Sequence, residues 1–361
     1  MLESEPRAGP SSQARCVTAS GDKARVLIVQ TGFLGDVVLA TALINPLSGA
    51  GYDVYALVRP QHAPLLSSDP LLSGVIADDK DAGRRGLSGA FRTAAELRAY
   101  GFAAAVSPHR SHRTAAMLAL TGIARRIGFA SSPLRWLFSD RVKVSAASHQ
   151  IERNLSLLRP LGIQDAGAQM RLVMPGEAVR AARERLSDGA RPLVAVAPGS
   201  AWATKRWPAE KFGQALRHLA RRIDFTAIFL GSAADREAAA AAASAWGGPQ
   251  VNLAGLTDLP TLCAVIEQLD LLIANDSAAV HIAGAYRVPT VAIFLATHPS
   301  FGFGPLLQPF RVAEVEGLSC RPCSPHGGRR CPRGHFRCAV DLEPEAVAEA
   351  AASLLTAQSQ S

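Results

Sequence analysis

Short apolar runs rich in β-branched residues alternate along this chain with segments of helical periodicity, and that alternation restricts the fold to βαβ units with parallel sheets. Residues 25–30 (RVLIVQ) read as a strand, 31–36 (TGFLGD) as a glycine-bearing turn, and the segment up to residue 47 as a helix. Further strands are expected at 53–58, 75–78, 102–108 and 126–130, with helices at 87–100, 111–120 and 149–161. The periodicity lapses around 162–175. A second series then runs through helices at 176–187, 209–222, 233–246, 259–268 and 277–286 and strands at 193–197, 225–230, 271–275 and 290–294. Two Rossmann-like domains with parallel sheets, facing each other across a cleft, follow from this order. Ligands of open α/β sheets bind at the carboxyl ends of the strands, so the site belongs between the domains.

A length of 361 residues suits two such domains. The expected boundaries are a disordered tail at 1–22, a first domain at 23–165, a second at 170–340 that includes a cysteine-rich segment at 320–338, and a last helix at 343–356. Hydrophobic residues make up 48% and charged residues 19%, which excludes global disorder. No uncharged apolar run approaches the ~18–20 residues of a membrane-spanning helix. The first 22 residues lack an apolar secretory core, and a cytoplasmic location is expected. The net charge of +8 is uneven: residues 84–143 hold ten Arg and Lys143 against Glu96 and Asp140, a local balance of +9. Such a field attracts anions or simply keeps a surface solvated.

Four segments carry residues suited to chemistry. In the first, Asp36 stands at a strand's carboxyl end beside Gly32 and Gly35, which allow a tight turn. It can serve as a general base or as a first-turn acid complementing the helix dipole. The third glycine of a dinucleotide fingerprint is missing. The second, Pro198–Pro208 (PGSAWATKRWP), places Ser200, Thr204, Lys205 and Arg206 in a loop before a helix opened by Pro208, where donors and charge suit a diphosphate or make an exposed basic loop. In the third, Asn275, Asp276 and Ser277 end a strand and cap a helix that carries His281, so that its free amides face the cleft. The fourth is Cys320-x2-Cys323-x7-Cys331-x6-Cys338, with His326 and His335 inside it; four of the chain's six cysteines fall there. That spacing points to a four-thiolate zinc or iron site or to reduced thiols that pack.

Together, TGFLGDVVLATALINPL, PGSAWATKRWPAEKF, NDSAAVHIAGAYRVPTVAIF and the cysteine segment followed by AVDLEPEAV resemble, in order over residues 24–350, the bacterial lipopolysaccharide heptosyltransferases of glycosyltransferase family 9, closest to the heptosyltransferase II branch. The resemblance implies the GT-B fold, an acceptor-binding first domain and a second domain that holds ADP-heptose. It assigns Asp36 as base and Lys205 to the donor phosphates, with Asp276, Ser277 and His281 in the donor segment and Ser200 in the donor loop; Thr204, from the loop reading, is expected to bind donor beside them. Arg110 and Arg113 fall on the acceptor side. Asp235 is the nearest acid to a ribose site. Ala278 replaces the family's more usual glycine. An inverting transfer of heptose to the lipopolysaccharide inner core needs no catalytic cofactor, and the cysteine cluster would be structural.

Two alternatives stay open from the sequence. One is another GT-B nucleotide-sugar transferase or an epimerase. The other is a four-cysteine metal module that binds nucleic acid through the Arg-rich stretch. That stretch lies in the other domain with few aromatics among its arginines, so the expected partners are ADP-heptose, the lipopolysaccharide core and the inner face of the membrane, not nucleic acid.

Overall fold

The computed structural model describes residues 23–79, 86–164 and 166–358. The expected tail at 1–22, together with Cys16, and Arg84 and Arg85 of the basic stretch lie outside the described residues. In the first half, β1 (Arg25–Val29) is apolar on both faces and buried at four of its five positions, as a central strand covered by helices on both sides requires. It leads into α1 (Leu34–Ala40), α2 (Ile44–Gly49), β2 (Asp53–Val58), β3 (Leu72–Ala77), α3 (Gly86–Arg98), β4 (Ala104–Ser107), α4 (His112–Leu120), β5 (Arg125–Phe129), β6 (Asp140–Val142) and α5 (Gln150–Ser156). The strands form one sheet in the order β3-β2-β1-β4-β5-β6. All its pairings are parallel, for example Arg25 opposite Asp53 and Val26 opposite Ala104.

The second half repeats the plan. It runs α6 (Gly176–Leu186), β7 (Leu193–Ala197), α7 (Ala209–Leu219), β8 (Thr226–Phe229), α8 (Arg236–Trp246), β9 (Gln250–Asn252), α9 (Leu259–Glu267), β10 (Leu271–Asn275), α10 (Ala278–Ala285), β11 (Thr290–Ile293), β12 (Phe310–Ala313), α11 (Arg337–Val340) and α12 (Pro344–Gln358). Its sheet, β12-β11-β10-β7-β8-β9, is also wholly parallel. Counted within each half, both sheets have the order 3-2-1-4-5-6. The strand order therefore reverses between β1 and β4 in one sheet and between β7 and β10 in the other, and a doubly wound sheet opens its ligand crevice at such a reversal.

The central strands agree with the sequence reading, and β7 and β10 agree to the residue. Three strands were not expected: β6, β9 and β12 are three or four residues long, partly exposed, and lie at sheet edges. Two expected helices are divided. The segment up to residue 47 breaks at a 3-10 turn (Thr41–Leu43), and the helix over 149–161 ends at Ser156, before a separate 3-10 turn (Arg159–Leu161).

The two halves share a core. Val37 and Val38 of α1 are buried in one hydrophobic cluster with Val280 and Ile282 of α10, so the helices that follow β1 and β10 pack on one another across the domain boundary. Burying such a side chain stabilises by about 1.5–3 kcal/mol. In the second domain, α12 contributes Val347, Ala351, Leu354 and Leu355 to the core that holds Phe212 and Leu216 of α7. Among the described residues no helix is long and apolar enough to cross a membrane.

Candidate active site

Loops from both strand-order reversals meet in a cleft of about 830 Å³. The loops after β1 and β4 supply Gln30, Phe33, Asp36, His109 and Arg110, and those after β7 and β10 supply Ser200, Trp202, Lys205, Asp276, Ser277 and His281. This volume suits a nucleotide-sugar-sized ligand.

On the first-domain side, Asp36 occupies the first turn of α1 and accepts from the backbone N–H of Phe33, the N-cap of its own helix. Burial pushes its carboxyl above the ordinary range, while the Phe33 amide and the nearby charges of His326, Lys205 and Arg110 draw it back down. The helix-start and base readings of Asp36 thus coexist. Neither Gly32 nor Gly35 has a left-handed backbone, so the turn itself does not demand glycine. Gly35 is required by proximity: a Cβ there would stand 2.9 Å from Cδ2 of His281 in the other domain. Arg110 reaches the cleft with its guanidinium 4.3 Å from the centroid of the Phe129 ring. Arg113 does not: its guanidinium makes a two-point ion pair with the fully buried Asp78, which also accepts from Thr93 Oγ1 at 2.8 Å. The expectation that Arg113 meets acceptor is corrected on that ground. A buried carboxylate holds this side chain in the first-domain core.

On the second-domain side, Asn275 ties the two donor loops together, accepting from Trp207 N–H at 3.1 Å and donating to the Pro198 carbonyl at 2.7 Å. Lys205 Nζ lies 2.7 Å from Asp276 Oδ2, with both side chains largely buried, and Thr297 Oγ1 donates to the same oxygen at 2.7 Å. Asp276 therefore does not cap α10. Ser277 takes the N-cap position but makes no side-chain capping hydrogen bond, which corrects the capping expectation for both residues and leaves the first amides of α10 facing the cleft. Ser200 lines the wall, its hydroxyl 3.4 Å from the Asp276 carbonyl. Thr204 does not line it: Thr204 is buried and exchanges hydrogen bonds with Gly328, its Oγ1 accepting from Gly328 N at 2.7 Å and its N–H donating to Gly328 O at 3.0 Å. Burial pushes His281 down to about 4, against the attraction of Asp276 and with the repulsion of His149 and Lys205, so its imidazole is neutral at pH 7. Asp235 lies in the cleft wall and accepts from both the N–H and the hydroxyl of Ser232, at 2.9 and 2.6 Å.

The structure adds lining residues that no motif marks, Arg59, Gln150 and Phe303, and it brings in His326, which the cysteine pattern contains but gives no role in the cleft. Arg59 is placed by a 2.9 Å hydrogen bond from its Nε to the Thr31 carbonyl. Only tertiary folding brings these residues to the cleft.

The four cysteines of the 320–338 segment influence one another electrostatically, and Cys331 differs from its neighbours. Backbone amides of Phe336, Arg333, Gly334 and His335 surround its sulfur and hold its thiol below the ordinary range against the opposing pull of desolvation. Cys323 donates to the Cys320 carbonyl at 3.1 Å. Among the described residues, no three Cys, His, Asp or Glu side chains gather closely enough to hold a metal ion.

The profile of glycosyltransferase family 9 (heptosyltransferase) matches residues 90–334. The lipooligosaccharide heptosyltransferase 2 of Campylobacter jejuni (serotype O:2) is 30% identical over 167 residues, 45% of this chain and 51% of that protein, so the match spans about half the relative's length. The lipopolysaccharide heptosyltransferase 2 of Escherichia coli K12 is 26% identical over 362 residues, covering 92% of this chain and 98% of the relative. In three dimensions the chain is similar to the E. coli ADP-heptose lipopolysaccharide heptosyltransferase II, with a TM-score of 0.74 at 21% identity over 93% of this chain and 99% of that one. That likeness shows the GT-B fold.

Proposed function

The chain belongs to glycosyltransferase family 9, the heptosyltransferases, and we propose that it transfers a heptose from ADP-heptose to the inner core of lipopolysaccharide with inversion at the anomeric carbon. The observation that carries the reading is the opposition, in one cleft, of a carboxylate raised by burial and a buried lysine beside a helix start. An acceptor hydroxyl on the first-domain side gives its proton to Asp36 as its oxygen bonds to the anomeric carbon. The bond from that carbon to the ADP oxygen breaks on the opposite face. The negative charge left on the diphosphate is met by Lys205 and by the first amides of α10. In this scheme Lys205 turns from Asp276 to the phosphate, and Thr297 keeps Asp276 partnered. A neutral His281 under Gly35 adds no charge there and fixes the spacing of the two domains.

The curated relatives named above are heptosyltransferases of lipopolysaccharide or lipooligosaccharide, and the E. coli structural neighbour is an ADP-heptose lipopolysaccharide heptosyltransferase, which supports both substrates. For the membrane side, Phe91 and Trp136 stand 57% and 66% exposed where α3 and α4 cover the first sheet, with Arg92 and Arg135 beside them in the chain. Aromatic side chains among cations suit the headgroup region of an anionic bilayer, and we place this face against the inner leaflet of the cytoplasmic membrane. Nucleic acid has no part in this reading. The cysteine spacing still proposes a structural zinc or iron, although the thiols as arranged do not present a site. One metal per chain in protein prepared without chelator would mean that the loop closes on an ion. None, with four titratable thiols, would assign the cysteines to packing.

Thermal shift with a panel of nucleotide sugars tests the donor assignment. ADP and ADP-heptose are expected to raise the melting temperature, through about 2.7 kcal/mol of linkage at a hundredfold excess over Kd. Lys205→Ala should cut that rise and raise donor KM while lowering kcat. A larger shift with UDP- or GDP-sugars would instead point to another GT-B transferase or an epimerase.

A further inference from the structure

Three successive carbonyls just beyond β11 are held by the cysteine-rich segment. Arg321 donates to those of Leu295 and Thr297, the latter at 3.1 Å, and Cys323 N donates to that of Ala296 at 2.8 Å. Arg321 is itself fixed, paired with Glu314 and donating to the Val315 carbonyl at 3.1 Å. From this clamped backbone the buried Thr297 projects its hydroxyl onto Asp276 Oδ2 at 2.7 Å. Lys205 Nζ meets the same oxygen at 2.7 Å. The loop that carries the lysine is held by the same segment: Gly328 exchanges hydrogen bonds with Thr204, and a Cβ on Gly327 would stand 3.1 Å from Cγ and Cε of Lys205. Ammonium and hydroxyl thus share one buried carboxylate oxygen in the wall of the cleft, each delivered by a loop that the cysteine-rich segment braces.

We propose that Thr297 is a positioning residue for Lys205, holding Asp276 Oδ2 so that the ammonium can pass to a diphosphate without leaving the carboxylate bare. The inference deepens the reading of Lys205 as the donor-phosphate residue and rests on it. In the free protein the ion pair compensates both charges. A diphosphate that draws Lys205 away breaks that pair, and a buried carboxylate stripped of its partner opposes the move. The Thr297 hydroxyl needs no rearrangement to stay on Oδ2, because the backbone that carries it is bonded at residues 295, 296 and 297. A hydrogen bond to an ionised acceptor is stronger than a neutral one, and here it persists in the state where the lysine has left. Thr297 therefore acts through Asp276 on the freedom of Lys205, and the cysteine-rich segment sets where that hydroxyl stands.

Calorimetric titration of the full chain with ADP tests this. Thr297→Val keeps the shape and removes the hydroxyl, so ADP affinity should fall about tenfold, as when a buried acceptor loses its donor, and Thr297→Ser should restore it to within about threefold of wild type. In the Lys205→Ala background no ammonium leaves Asp276 on binding, so adding Thr297→Val should change ADP affinity by less than about twofold. In transfer assays Thr297→Val should raise donor KM while kcat at saturating donor and acceptor KM stay within about threefold of wild type. Unchanged ADP affinity in Thr297→Val overturns the inference. So does an equal loss with and without Lys205, or a loss that Thr297→Ser does not restore, either of which is what a merely structural role would give. Should Thr297→Val fail to fold, Thr297→Ala is held to the same results. If Lys205→Ala alone binds ADP as tightly as the wild type, it is the donor-phosphate reading of Lys205 that fails, an outcome distinct from all of these.

Discussion

At the residue scale, the site is built from side chains whose charge states are set by what encloses them. His281 is the clearest case. Its ordinary value of 6.5 is pushed down to about 4 by burial, so the folded protein resists protonating it. A group depressed in this way contributes stability that is fully present above pH 6.5 and lost as pH falls toward 4, amounting to about 3 kcal/mol over the window. Urea unfolding followed from pH 7 to pH 4.5 should show this loss in the wild type and a shallower one in His281→Gln. An equal slope in both would mean that the imidazole is not buried neutral. Asp36, Lys205, Asp276 and His281 were legible in the sequence because each follows a strand in a recognisable turn. Arg113 and Thr204 misled because residue type shows charge or hydroxyl but not direction: Arg113 turns inward to Asp78 and Thr204 turns to Gly328. His326 was visible only as a histidine inside a cysteine pattern, and nothing in its neighbourhood announces a place in the cleft wall.

At the element scale, the interior strands were readable and three of the four edge strands were not, for one physical reason. β7 and β10 are buried on both faces and are apolar except for Asn275 at the end of β10, whereas β6, β9 and β12 each pair with a single neighbour and tolerate polar, partly exposed residues that leave no periodic mark. The cysteine loop shows how an irregular element can still be specified. Gly327 has φ of +82°, and a Cβ there would meet Lys205 Cε and Cγ and Trp202 Cβ at 3.1 Å, while Gly334 has φ of +74° in the same loop with nothing within 4 Å. Gly334→Ala should therefore show backbone strain alone, about 1–2 kcal/mol. Gly327→Ala should add displacement of the donor loop, read as an ADP affinity several-fold weaker than that of Gly334→Ala by calorimetry. Equal affinities in the two variants would show that the loop does not brace Lys205.

At the scale of the whole molecule, two sheets of the same strand order are joined so that their reversals face each other, with α1 packed on α10 as the fixed contact. The basic stretch belongs to one half only. Of its described residues, Arg110 lines the cleft and Arg113 is neutralised by Asp78, while Arg92, Arg135, Arg141 and Lys143 remain exposed. Long-range attraction to an anionic acceptor or membrane is screened over about 8–10 Å at physiological salt, so acceptor KM should climb with ionic strength while donor KM, set by short contacts in the other half, changes less. Arg110→Glu should weaken acceptor use without shifting ADP affinity. A flat acceptor KM would make the stretch a solvated surface and nothing more. The cleft itself is tested most directly by ADP release from ADP-heptose, measured with and without a lipopolysaccharide inner-core acceptor, in the wild type and in Asp36→Asn. Acceptor-dependent release that falls about 10²–10⁴-fold in the variant, with ADP binding intact, is the expected result. Release that ignores the acceptor, or a variant that keeps more than half the wild-type rate, would contradict it.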